Sequence, residues 1–63
     1  MKTYFDWNKT SFYLTAAQTY SGKWAILTKS PSCEVFTEDT RYPLFDTEEQ
    51  AEKYLSENFE TCE

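Results

Sequence analysis

The chain has 63 residues, a formal net charge of −5 and no histidine. A chain of this length forms one domain, and so small a domain buries only about 60% of its unfolded surface. No apolar run approaches the roughly 18 residues of a membrane span, and the first residues lack the apolar stretch of a secretory signal. We therefore expect a single small domain, 1–63, in the cytoplasm of the cell that makes or receives the protein.

The first three fifths of the chain predict β-strands. Residues 2–7 and 11–20 are rich in β-forming side chains, and residues 23–29 follow a sharp turn signal. That signal includes Gly22, the chain's one glycine, which adopts positive φ at no steric cost. A hairpin of 11–20 with 23–29 is therefore predicted, and residues 34–37 form a plausible short fourth strand.

One helix is predicted over residues 47–60. Asp46 or Thr47 is its expected N-cap, since Glu49 or Gln50 follows three residues later and completes a capping box. Apolar residues then recur at the spacing of one helical face, namely Ala51, Tyr54, Leu55 and Phe59. The order of elements predicts an α+β fold, in which one C-terminal helix packs on one face of a three- to four-stranded antiparallel sheet.

Charge is sorted between the two halves of the chain. Residues 1–33 carry four lysines and one acid, a net of +3, whereas residues 34–63 carry ten acids against two basic residues, a net of −8. Acids at the end of the predicted helix, including Glu63, lie where the helix dipole favours cations. We therefore predict an acidic, partner-binding face made of Glu38, Asp39, Glu49, Glu52, Glu57 and Glu60.

This acidic face predicts a protein partner with a basic surface. Carboxylates on one helix face stand about 5–6 Å apart, which coarsely matches the phosphate repeat of about 3.4 Å along a nucleic-acid strand. The leading hypothesis is a small non-catalytic protein that binds and inhibits a macromolecular partner by occupying its nucleic-acid-binding surface. In size and charge alone, the chain resembles small acidic inhibitors such as phage-encoded anti-restriction and anti-CRISPR proteins.

The aromatic content supports an alternative. The chain has two Trp, five Tyr and five Phe residues, which are more aromatic side chains than the interior of so small a domain can bury. In addition, one helix covers only one face of the sheet. The open face is then expected to hold a second copy, in a homodimer, or another partner, with Tyr13 and Trp24 at the interface. A further alternative is a weak binder of single-stranded nucleic acid, which stacks bases on strand aromatics. The net charge of −5 argues against it.

No group of residues predicts catalysis, a metal or a cofactor. There is no histidine to activate Cys33 or Cys62, and two thiolates fall short of the four ligands of a structural zinc. So small a fold also offers little cavity in which clustered carboxylates could act as acid and base. We expect no enzyme activity and two reduced thiols, with a disulfide between them as the alternative.

Overall fold

The computed structural model describes residues 2–62, which form a five-stranded antiparallel sheet and one helix. The strands lie in the order β4-β3-β2-β1-β5. Their bounds are β1 Tyr4–Phe5, β2 Tyr13–Gln18, β3 Trp24–Lys29, β4 Thr37–Glu38 and β5 Glu60–Thr61, and the helix α1 is Glu48–Asn58. The predicted α+β class is confirmed, and the sheet has more strands than the three or four expected.

The central hairpin joins β2 to β3. Its turn is closed by hydrogen bonds from Thr19 N to Lys23 O at 2.7 Å and from Gly22 N to Thr19 O at 3.0 Å. Gly22 has a φ of 89°, the conformation for which glycine was predicted there. The predicted hairpin is therefore confirmed, although its strands are shorter than the predicted 11–20 and 23–29.

Alternation along the strands separates two faces of the sheet, and α1 packs on one of them. The side chains of Ala51 and Leu55 are fully buried against that face. The core consists of Tyr4, Leu14, Ala16, Ile26, Ala51 and Leu55. Partly buried rings pack around it, namely Trp24, Tyr42, Phe45, Tyr54 and Phe59.

Thr47 is the N-cap of α1. Its Oγ1 accepts a hydrogen bond from Gln50 N at 3.2 Å, and Gln50 Oε1 accepts one from Asp46 N at 3.2 Å. Of the two predicted N-caps, the structure selects Thr47. The reciprocal bond reaches the residue before the cap, so it differs by one position from the standard capping box.

The end of the helix requires a correction. The prediction extended it to residue 60, but α1 ends at Asn58 and Phe59 has an extended backbone, with φ −139° and ψ 165°. Glu60 then belongs to β5, which pairs with the outer edge of β1, and Cys62 N donates to Thr3 O at 2.8 Å. The chain leaves the helix because the edge of β1 offers backbone partners and the Phe59 ring joins the core. Glu63 lies outside the described residues.

Strand β1 covers only two of the predicted residues 2–7, because the buried Asp6 starts a turn. Its carboxylate accepts hydrogen bonds from the backbone N–H groups of Asn8, Lys9 and Thr10 and from the Thr10 hydroxyl. Burial acts to raise the pKa of Asp6, but these bonds outweigh it and hold the pKa below its ordinary value.

The fourth strand is Thr37–Glu38, so it overlaps the predicted 34–37 only at Thr37. The strand lies later in the chain than predicted because its C-terminal end is held against β3. There, the Asp39 N–H donates a hydrogen bond to Ile26 O at 3.0 Å. Leu27 therefore pairs with Glu38 across the β3–β4 strand pair.

The helix in the described part of the chain falls short of the length and apolarity that a bilayer crossing requires.

Candidate functional site

The sheet face opposite α1 carries a continuous aromatic strip, made of Trp7, Phe5, Tyr13, Lys29 and Phe36. The Phe5 ring centroid lies 4.5 Å from that of Trp7 and 4.9 Å from that of Tyr13, both edge to face. Lys29 Nζ lies 5.2 Å from the Tyr13 centroid and 5.7 Å from the Phe36 centroid. Each member thus contacts the next, from the loop after β1 to the segment before β4.

The register of the strands explains why these side chains meet. Phe5 pairs with Tyr13, and Tyr13 pairs with Lys29, so all three point to the same side of the sheet. Edge-to-face ring pairs contribute about 0.5–1.5 kcal/mol each beyond area burial. The strip nevertheless remains open to solvent, since Trp7 is 68% exposed and the other rings are half-buried. Contiguous aromatic surface of this kind is typical of interaction sites.

A hollow lies at the other end of the same face, beside the β2–β3 turn. Its floor is formed by Ala17 and Ala25, which are directly opposite each other and have short side chains. Leu27, Tyr20 and Glu38 line its sides, and the cavity has a volume of about 470 Å³. We call this feature the alanine hollow. Glu38 is the one charged side chain among the described residues that line it.

Thr15 separates the strip from the hollow. It lies between Tyr13 and Ala17 on the same face of β2, yet it is only 1% exposed. Its hydroxyl donates a hydrogen bond to the Lys2 carbonyl at 2.9 Å, which ties the N-terminal segment to the middle of β2. The open face therefore presents two distinct features, the aromatic strip and the alanine hollow, rather than one uniform plane.

A glutamate borders this face at each edge of the sheet. Glu38 on β4 faces Leu27, and Glu60 on β5 faces Phe5, so both glutamates share the side of the strip and the hollow. Both are exposed. The Lys29 ammonium lies near the Tyr13 and Phe36 rings and donates a hydrogen bond to the Cys33 carbonyl at 3.2 Å. The rim of the open face is therefore negative and its centre is aromatic.

The six acids of the predicted acidic face do not lie on one surface. Glu49 and Glu57 are exposed on α1, and the two edge glutamates border the open face. Glu57, near the end of the helix, lines a hollow together with Glu60, Phe5 and Trp7, whereas Glu49 lies at the start of the helix, away from the open face. Glu52 is half-buried, and one of its oxygens accepts a hydrogen bond from the Tyr4 hydroxyl at 2.8 Å. The helix thus offers Glu49 and Glu57, as well as Glu48, as exposed carboxylates, whereas Glu52 supports the core.

Asp39 is occupied by internal partners. Its carboxylate binds Arg41 through Nε at 3.0 Å and Nη2 at 2.7 Å, and it accepts a hydrogen bond from the Thr28 hydroxyl at 3.2 Å. The Arg41 side chain, despite an opposing effect of burial, lowers the pKa of Asp39 to about 2. This carboxylate stabilises the turn after β4 and is poorly placed to contact a partner.

The two predicted interface aromatics lie on opposite faces. Tyr13 belongs to the aromatic strip, whereas Trp24 packs beside the core and exchanges backbone hydrogen bonds of 2.7 and 2.8 Å with Phe45. Sequence reasoning did not single out Phe5 and Trp7 as interface residues. Their alternation with the buried Tyr4 and Asp6 is the signal that would have found them.

No three carboxylate or thiol side chains within residues 2–62 converge where they could hold a metal ion. Cys33 and Cys62 are free and exposed in the structure.

No protein-family model, curated protein or solved structure matches the chain.

Proposed function

We propose that this chain is a non-catalytic binding protein that docks onto a protein partner through its open sheet face. The observation that carries the proposal is the aromatic strip, which the fold leaves uncovered on the face opposite α1. Aromatic side chains bury large areas at low entropic cost, and buried aromatics dominate the energetics of protein interfaces.

Charge favours a protein over nucleic acid as the partner. Phosphates approaching the strip would meet Glu38 and Glu60 at the two edges, and Lys29 alone within the strip supplies positive charge. Phosphate contacts dominate nucleic-acid affinity and need several free cations. A partner whose contact surface carries basic residues at its rim complements the open face.

Charge also disfavours a second copy as the partner. In a two-fold, face-to-face dimer with aligned strands, each acidic edge would meet either the same edge or the other acidic edge of its mate. Glu38 and Glu60 would then lie along edges that approach an acidic edge of the mate. We therefore propose a heterologous partner and keep the homodimer as an outcome for sedimentation to test.

Inhibition of a basic, nucleic-acid-binding surface is the second candidate. One observation favours it: Glu49 and Glu57 are exposed on α1 without a salt-bridge partner among residues 2–62. The last turn of the helix also lacks a basic residue. Glu57 lies near Phe5 and Trp7 at one end of the aromatic strip, so the acids at the start of α1 are the residues that separate the two proposals.

Affinity capture with matched variants distinguishes them. Wild-type protein, Tyr13→Ser and the double variant Glu48→Gln/Glu49→Gln, at two exposed acids in the first turn of α1, are immobilised in parallel, after circular dichroism shows that each is folded. The open-face proposal predicts that a partner bound by the wild type is retained by the double variant and lost with Tyr13→Ser. Loss with the double variant and retention by Tyr13→Ser would instead support the acidic helix.

A further inference from the structure

The alanine hollow combines the features that a long basic side chain requires. Its floor of Ala17 and Ala25 and its Leu27 wall are apolar, which suits the methylene stem of lysine or arginine. Glu38 supplies one carboxylate at the side of the hollow, and the fully exposed Tyr20 supplies an aromatic ring beside it. Carboxylates and ring faces both attract a cation.

The carboxylate is also available. The ion pairs among residues 2–62 are Lys23 with Asp46 and Arg41 with Asp39, so neither involves Glu38. Lys29, on the same face, has its ammonium over two rings of the aromatic strip. Glu38 therefore has no ion-pair partner among residues 2–62 and is free to accept a cation from a partner.

We propose that the alanine hollow binds a lysine or arginine side chain of the protein partner, with its stem on Ala17 and Leu27 and its cationic group at Glu38. This inference rests on the proposed function and specifies the chemistry of the partner. The partner then presents apolar side chains to the aromatic strip and one basic side chain to the hollow. Arginine is the favoured residue, because its guanidinium binds a carboxylate in two-pronged geometry and stacks on a tyrosine ring.

The test uses small probes that need no knowledge of the partner. N-acetyl-arginine N-methylamide is titrated into ¹⁵N-labelled protein, and N-acetyl-norleucine N-methylamide serves as the uncharged control. We expect saturable shifts of the amide signals of Ala17, Ala25, Leu27 and Glu38 with the arginine probe, in the millimolar range expected for one side chain. The norleucine probe should shift them far less.

Three variants test whether the arginine probe binds in the alanine hollow. Glu38→Gln should weaken binding of the arginine probe at least several-fold, and Ala17→Leu should abolish it by filling the hollow, whereas Glu34→Gln is the matched acidic control outside the hollow. If Ala17→Leu fails to fold, the affinity of Glu38→Gln for the arginine probe still tests the inference. Equal shifts with norleucine, or equal affinity for wild type and Glu38→Gln, would overturn the inference.

Failure of this inference is distinguishable from failure of the proposed function. Tyr13→Ser lies outside the hollow, so it should leave the arginine-probe shifts unchanged while it abolishes capture of the partner. Capture that depends on Tyr13 without any arginine-specific shift would overturn the hollow alone.

Discussion

Lys29 Nζ lies 5.2 Å from the centroid of the Tyr13 ring, directly across the β2–β3 pair. The contact satisfies a cation on a largely apolar face and links the rings of β1 and β2 to Phe36. The aromatic strip is therefore continuous across three strands of the sheet. Its integrity depends on this pair as much as on the ring contacts.

A double-mutant cycle measures that contact. Lys29→Met keeps the aliphatic stem but removes the charge, and Tyr13→Leu removes the ring. We expect a coupling free energy of about 0.5–1 kcal/mol in urea unfolding, the range of exposed cation–π pairs. If the two single effects simply add, the charge and the ring do not interact.

The Tyr4 hydroxyl should stabilise the packing of α1 on β1. Tyr4→Phe removes its hydrogen bond to the Glu52 carboxylate, so we expect a loss of about 1.5–2 kcal/mol in the free energy of unfolding. Tyr20→Phe, at a fully exposed ring, is the control and should have no effect. Equal stability of Tyr4→Phe and wild type would mean that this bond contributes nothing net.

Gly22 should be sensitive to substitution through its backbone alone. Its φ is 89°, and an added Cβ would meet no atom within 4 Å. Gly22→Ala is therefore expected to cost about 1–2 kcal/mol from conformational strain without any clash. A lowered melting temperature for Gly22→Ala, with a smaller loss for Gly22→Asn, whose side chain tolerates positive φ better, confirms this reason. An equal loss in Gly22→Asn would contradict it.

Asp39 should make stability depend on acid pH. Its pKa is lowered from 3.8 to about 2 in the folded protein, so its stabilising contribution is fully present above the unfolded value and is lost as pH falls through about 2. The difference in urea midpoint between wild type and Asp39→Asn should thus shrink from about pH 5 to about pH 2. A constant difference over that range would exclude the carboxylate charge as its cause.

Local signals in the sequence predicted the hairpin, the helix start and the α+β class. Gly22 marked its turn, and Thr47 with Gln50 marked the helix cap, because both signals act within a few residues. Strand β5 escaped prediction because Glu60 and Thr61 have no strong β pattern. They become a strand only through pairing with β1, at the far end of the chain.

In the candidate site, too, features set by local signals could be predicted, whereas features set by pairing between distant segments could not. Alternation within β2 and β3 places Tyr13 and Trp24 on opposite faces, so their separation was readable from the sequence. The position of Glu38 opposite Leu27 could not be predicted from the sequence, because it depends on the register of β4 against β3. The acidic face was predicted as one surface because the helix was extended over Glu60, which the structure assigns to the sheet edge.

Site-specific photo-crosslinking tests most directly whether the open sheet face is the docking surface. Benzoylphenylalanine is placed at position 13, on the aromatic strip, or at position 53, on the exposed side of α1, in cells that express the protein. We predict a discrete protein adduct from position 13 and none from position 53. An adduct from position 53 with none from position 13 would contradict docking through the open face.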